Sequence, residues 1–284
     1  MTISALALIL APPQVTVVKR PNENAYGIGK IKEFELTSEK WGKSRKVHVY
    51  LPPDYLKNTG KNYPVLYMHD GQNAFYLGPS SPYQVTWEAN RTAEKMITEG
   101  EVKPFIIVAI DTSKDRTNEL THSEGTLQGT KQGGKSKAYC EFLVSEVMPY
   151  VEQNYRVLKG RENTGVAGAS FGGLVSLFIA SEYPNTFGFI GACSPSLWWN
   201  SRDMFTIYKE KLPNPKPKIW LDMGGKEGRM MNRDVSQFKD LLNESGWKDG
   251  VNLKFAYDAE AVHREDAWAK RFPDMIRFWF EKPK

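Results

Sequence analysis

The chain reads as an α/β protein with a mostly parallel central sheet and helices on both faces. Three observations predict this. Residues 63–68 and 105–110 are nearly continuous apolar runs rather than alternating ones, as strands covered on both sides are. Segments of helical periodicity separate such runs, so strand and helix alternate along the chain. The length of 284 residues, 40% of them apolar and 25% charged, supports one large core and argues against disorder.

The elements follow in order. Residues 31–37 alternate, with Ile31, Glu33 and Glu35 opposing Lys32, Phe34 and Leu36, which suits an edge strand. Residues 45–51 alternate again and stop at Pro52-Pro53, giving an antiparallel start to the sheet. After the strand at 63–68, residues 87–98 predict a helix that ends before Gly100, and 105–110 the next strand. The polar stretch 111–135 predicts a long loop with a functional role, in which Arg116 and Glu119 line the leaving-group side of a site. A helix over 136–154, strands at 187–193, 218–223 and 251–257, and helices at 232–245 and 265–280 complete the pattern. Residues 30–284 form a single domain in this reading, and 1–29 a leader or tail.

Composition excludes several classes. The net charge of +5 comes with no run of five or six basic residues, so nucleic acid is not an expected partner. Residues 1–13 have the apolar core of an export signal but no basic residue before it, and are too short to span a bilayer. A secreted or periplasmic location is the expectation, with a cytoplasmic one as the alternative, and no stable membrane insertion. Cys140 and Cys193 have no metal-ligand spacing and read as buried free thiols; no metal and no cofactor are expected. The letters define no oligomeric state.

Chemistry concentrates in Thr164-Gly165-Val166-Ala167-Gly168-Ala169-Ser170-Phe171-Gly172-Gly173, where Gly168-x-Ser170-x-Gly172 joins a buried strand to a helix. This is the pattern of a nucleophile elbow, in which glycines leave room for a tight turn that lifts the serine above the sheet. A serine needs a base, and the base needs an acid that fixes its tautomer. Of four histidines, His48 and His69 precede the elbow, His122 falls in the polar loop, and only His263 follows the last strand. The order nucleophile, acid, histidine of α/β-hydrolases selects His263. Two carboxylates compete for the acid: Asp222, in the last residues of its strand, and Glu227, in the glycine-rich turn beyond it. Glu227 is preferred because the acid must stand past the strand tip. For the oxyanion, the backbone N–H groups of Phe171 and of Gln72, after Gly71, are the candidates. His69 and Asp70 then support the site from behind, a metal role for the pair lacking a third ligand.

These residues resemble the putative esterase family, the esterase-D-like α/β-hydrolases that include feruloyl esterases and enterochelin-type siderophore esterases. The resemblance runs from about Phe34 to the C-terminus through Tyr50-Leu51-Pro52-Pro53, Leu66-Tyr67-Met68-His69-Asp70-Gly71-Gln72, the elbow, Ser194-Pro195-Ser196-Leu197-Trp198-Trp199 and the His263 loop with Trp268. It implies a metal-free serine hydrolase with an α/β-hydrolase fold, its serine, acid and histidine falling on Ser170, Glu227 and His263. The Ser194 to Asn200 stretch is most similar to the siderophore-esterase branch, some members of which lack a functional acid. Trp198 and Trp199 fall where the family places a substrate wall, and either stack a ring of the substrate or pack under the last helix.

The expected activity is hydrolysis of carboxylic esters through an acyl-enzyme, on acetyl or feruloyl esters of carbohydrates or phenolics or on siderophore-type esters, small or polymer-attached. Acyl transfer on the same triad is the alternative, and a non-catalytic carbohydrate-binding module a more distant one. No long insertion suggests a lipase-type lid.

Overall fold

The computed structural model describes residues 30–38, 40–75 and 84–281; the leader read at 1–29 lies outside them. Their strands are β1 (Lys30–Ser38), β2 (Lys43–Leu51), β3 (Val65–His69), β4 (Ile106–Ile110), β5 (Glu124–Leu127), β6 (Thr130–Gly133), β7 (Thr164–Ala169), β8 (Phe189–Cys193), β9 (Lys218–Gly224) and β10 (Leu253–Asp258). The helices are α1 (Ala89–Thr98), α2 (Arg116–Leu120), α3 (Ser136–Phe142), α4 (Met148–Asn154), α5 (Phe171–Glu182), α6 (Asp203–Glu210), α7 (Arg229–Glu244) and α8 (Glu265–Phe280). A π-helical turn, Leu143–Val147, joins α3 to α4, so the helix expected over 136–154 is one continuous rod.

Eight strands form one sheet in the order β1-β2-β4-β3-β7-β8-β9-β10, and β5 and β6 pair separately as a small hairpin. The β1–β2 and β2–β4 pairs are antiparallel; every later neighbour is parallel. Every residue of β3, β4, β7 and β8 is buried, which is why their sequences run apolar without alternation. One face is covered by α3 to α7, through side chains such as Phe142, Val147, Leu177, Tyr208 and Phe238. The other is covered by α1 and α8, through Ala93, Met96, Phe272, Met275 and Trp279. Helix α5 is buried along almost its whole length and shows little amphipathic contrast.

The stretch 111–135, expected as a loop, carries α2 and the β5–β6 hairpin instead. It is held by polar contacts that a hydrophobic pattern does not display. Glu119 accepts hydrogen bonds from Lys43, Arg45 and Ser113, and Asp203 accepts from His122 and Ser123. Helix α6, absent from the sequence expectation, fully buries only Met204 and Tyr208, one turn apart.

Glu33 is buried despite its place on the polar side of the β1 alternation, because it lies opposite His48 in the β1–β2 register. The His48 ring is fully buried, with Nδ1 2.9 Å from Glu33 Oε2 and Nε2 2.8 Å from Asp111 Oδ1; Lys46 approaches Glu33 at 4.0 Å. Burial opposes the imidazolium, but the two carboxylates outweigh it and raise the pKa above its ordinary 6.5. A group whose folded pKa exceeds its unfolded value stabilises fully below the unfolded pKa and loses that contribution as pH rises through the folded one. The urea midpoint should therefore fall as pH is raised from about 6 upward, and His48→Gln should flatten the decline. Parallel slopes in both proteins would contradict this.

Candidate active site

Ser170 sits between β7 and α5 with φ 60° and ψ −121°, a conformation that costs a non-glycine residue on the order of 1–3 kcal/mol. Neighbouring backbone holds it there. Its N–H donates to Cys193 O at 3.0 Å and its carbonyl accepts from the Ser196 N–H at 3.1 Å. A Cβ on Gly168 would lie 2.8 Å from the Gly172 carbonyl carbon, and one on Gly173 2.9 Å from Cys193 O. At Gly172 the nearest atom is the end of the Asp70 side chain, at 3.2 Å. The steric demand is thus strongest at 168 and 173.

His263 follows β10, and Glu227 closes a 3-10 turn beyond β9. His263 Nδ1 lies 2.5 Å from Glu227 Oε2. The other carboxylate oxygen of Glu227 accepts from the Gly224 N–H at 2.8 Å and from Ser194 Oγ at 2.7 Å. Asp222 is placed differently: it is buried within β9 and accepts from Trp220 Nε1 at 2.8 Å, the Ser194 N–H at 3.1 Å and Arg271 at 2.9 Å. Ser194, at φ 41°, links the two carboxylates, its N–H donating to Asp222 and its hydroxyl to Glu227, while that hydroxyl accepts from Trp268 Nε1 at 2.9 Å and Arg271 at 3.2 Å. The Ser170 hydroxyl has Ser196 Oγ as its partner, at 3.2 Å, among the described residues. Ser170 and His263 nevertheless line one cavity of about 280 Å³.

The loop after β3 forms another wall. Asp70 takes a left-handed conformation, φ 56°, and a Cβ on Gly71 would meet the Ala109 carbonyl carbon at 2.6 Å. The Gln72 side chain is locked to Thr112 by two hydrogen bonds of 3.1 Å, one from Nε2 to the hydroxyl and one to Oε1 from the Thr112 N–H. Gln72 and Phe171 stand in the first turns of a 3-10 helix and of α5, where N–H groups have no acceptor within the helix. Asp70 binds Arg116 through both carboxylate oxygens, at 2.6 and 2.8 Å, and accepts from Thr112 Oγ1 at 2.7 Å. Burial pushes the Asp70 carboxyl up, but the Arg116 guanidinium outweighs it and holds the pKa below the usual range. His69 meets the Tyr139 hydroxyl at 2.7 Å, and burial lowers its pKa to about 4, so it is neutral near pH 7. Among the described residues no group of three His, Cys, Asp or Glu side chains is arranged to hold a metal.

The aromatic cavity walls are Trp87 and Trp268, stacked at 5.8 Å, rather than the expected pair. Trp199 is 1% exposed, donates Nε1 to Ser123 O at 3.0 Å and fills the space beside Gly125 and Gly133. Trp198 lies against Phe171 at 5.8 Å. Of the two residues expected to line the leaving-group side, Arg116 reaches the cavity, whereas Glu119 is buried in its ion-pair cluster. Asn73 and Glu265 were not anticipated as wall residues. Their adjacency to Gln72 and to His263 was the only signal in the letters.

The strand order, the elbow on β7 and the loops bearing His263 and Glu227 define an α/β-hydrolase, and comparison with known proteins makes it a carboxylic ester hydrolase. Residues 38–279 match the family described as Putative esterase, and the chain belongs to that family. It is similar to the Bacillus subtilis protein YbbA, 25% identical over 255 residues that cover 86% of this chain and 96% of YbbA. It is similar also to an endo-1,4-beta-xylanase/feruloyl esterase of Xylanibacter ruminicola, 26% identical over 225 residues, 78% of this chain but 28% of that protein. The BES protein from Bacillus cereus shares the fold, with a TM-score of 0.71 at 23% identity over 94% of this chain and 99% of that one.

The contact geometry at Gly168 gives a direct test of the elbow. Gly168→Ala should lower stability by about 2 kcal/mol or more, since backbone rather than a flexible side chain stands in the way of the new methyl. Urea unfolding reads the change, and a variant as stable as wild type would show that α5 can move away from β7.

Proposed function

We propose that the protein cleaves esters by a Ser170-His263-Glu227 triad through an acyl-enzyme, acting on small acyl esters of carbohydrates or phenolics. The observation that carries this reading is the 2.5 Å contact between His263 Nδ1 and Glu227 Oε2, with Ser170 on the wall of the same cavity. With Nδ1 turned to the carboxylate, Nε2 is the nitrogen left to serve the serine. The Ser170 hydroxyl leaves Ser196 and turns to His263 as substrate arrives, because catalytic hydrogen bonds tighten in the complex.

In the forward step Ser170 Oγ bonds to the ester carbonyl carbon while its proton passes to His263. The oxyanion rests on the Phe171 and Gln72 N–H groups. The bond from carbon to the alcohol oxygen then breaks, and His263 returns the proton to that oxygen. Water repeats the sequence on the acyl-enzyme and releases the acid. The cavity, about 280 Å³, lies at the lower end for ligand sites and favours an acetyl or single-ring acyl group over a siderophore trilactone. Export through residues 1–13 would bring the enzyme to polymer-attached esters outside the cytoplasm.

Ser170→Ala should reduce turnover of 4-nitrophenyl acetate at least about 10³-fold with an unchanged circular dichroism spectrum; retained turnover in the folded variant defeats the mechanism. A second pair separates the carboxylates. Glu227→Gln should lower kcat by about 10²–10⁴-fold while the protein stays folded. Asp222→Asn should act mainly on stability, since it removes the buried charge that Arg271 meets at 2.9 Å. The reverse pattern would reassign the acid to Asp222.

A further inference from the structure

Glu227 stands on a turn with few side chains of its own to hold it. From the last residue of β9 to the start of α7 the chain runs Gly224-Gly225-Lys226-Glu227-Gly228. At Gly224 and Gly225 the reason is crowding: a Cβ would lie 2.6 Å from Ala261 O at the first and would meet the Ala259 backbone at the second. The turn is thus pressed against the segment that leads to His263, and the Lys226 N–H donates to Ala261 O at 3.0 Å between them. Gly228 differs. It has φ 107°, and no atom of the described residues lies within 4 Å of where its Cβ would stand, so it is an unhindered pivot directly after the acid.

The hydrogen bonds of Glu227 itself do not close that pivot. Its Oε1 accepts from the Gly224 N–H, within the same turn, and from Ser194 Oγ outside it. These bonds orient the carboxylate but leave the carbonyl groups of the turn unanswered. Asn232, one turn into α7, answers three of them: its Nδ2 donates to Gly228 O at 2.9 Å, Gly225 O at 3.2 Å and Gly224 O at 3.3 Å. The nitrogen carries two protons, which the three oxygens share. The partners also fix the amide's orientation, because Oδ1 in place of Nδ2 would set four oxygens together without a proton. Only the bond to Gly228, four residues back, is local to the helix end. The other two reach over the pivot to the tip of β9.

We propose that Asn232 is a positioning residue for the acid: by joining both ends of the Glu227 turn it sets the reach of the carboxylate to His263. This rests on the Ser170-His263-Glu227 reading. Asn232 does not line the Ser170 cavity, so a change there acts on the chemistry only through the turn. The contact at stake is a single one, from His263 Nδ1 to Glu227 Oε2 at 2.5 Å. A turn that shifts loosens it, and the imidazole loses the partner that fixes its tautomer and direction.

Two substitutions separate this role from a bond that merely ends a helix. Asn232→Ala removes all three contacts. Asn232→Ser keeps a hydroxyl able to bond the carbonyl four residues back, that of Gly228, but too short to reach Gly224 and Gly225. Both should lower kcat for 4-nitrophenyl acetate about 10–10²-fold with KM little changed, and both should weaken the far-downfield proton resonance of the His263–Glu227 hydrogen bond. In a Glu227→Gln background the same substitutions should cost less than about twofold, because the group they position is already gone. A folded Asn232→Ser with the kcat and resonance of wild type, or losses by the same factor in both backgrounds, overturns the positioning role while leaving the hydrolase intact. Loss of the fold in both variants overturns it too, since the contacts would then serve stability. Wild-type kcat in Glu227→Gln overturns the triad reading, and the role of Asn232 with it.

Discussion

The left-handed backbone at Ser170 is the constraint on which the rest of the site depends. A serine at φ 60° persists only where its surroundings leave no alternative, and here they come from two neighbouring strands and a helix. The Ser170 N–H is tied to the end of β8, its carbonyl to Ser196, and α5 lies so close to both β7 and β8 that Gly168 and Gly173 have no room for a methyl group. Close packing of that helix is possible because it is apolar all round and its sequence begins Phe-Gly-Gly. Ser194, another left-handed residue, stands at the start of the turn that runs on to Ser196, the residue that meets Ser170. Both cost backbone energy, and buried parallel strands on either side offset it.

Ser194 shows how such a position is used. Its hydroxyl receives two donors, from Trp268 and Arg271, and passes one hydrogen bond on to Glu227. Asp222 in turn holds Arg271 and the Ser194 N–H. A carboxylate with so many fixed donors is oriented before any substrate arrives, which is the preorganisation an acid behind an imidazole requires. The two candidate acids thus have complementary parts in one network. Asp222 anchors the cation and the turn, and Glu227 stands beyond the strand tip where His263 can meet it.

Much of the fold was legible because burial on both faces writes itself plainly. β3 and β4 read as unbroken apolar runs, and α8 reads as a periodic one, each from residues that later fall into the core. The elbow was legible because tight turns restrict residue type. The stretch 111–135 was not, because Lys43, Arg45 and Asp203, the residues that hold it, lie 70 or more positions away and act through charge. The same limit hid Asn73 and Glu265. Neither residue type nor spacing marks them, and their meaning comes from facing one cavity although 192 positions separate them.

The displacement of Trp199 from the cavity carries a physical lesson about its neighbourhood. The indole occupies the space that Gly125 and Gly133 leave open, and its N–H binds Ser123, so it fixes the hairpin of β5 and β6 to the turn after β8. That hairpin follows directly on α2, and the backbone of Gly133 and Lys135 is bonded to Asn118 within it. Arg116 at the start of α2 grips Asp70, and Asp70 precedes Gly71 and Gln72 in the loop whose N–H groups face the reacting carbonyl in the proposed mechanism. The tryptophan therefore supports the site from behind, through these three contacts and through its edge-on packing at 5.3 Å against Phe171. An aromatic residue beside a catalytic loop serves function here by holding up the wall opposite, and its position in the sequence gives no hint of which side it faces.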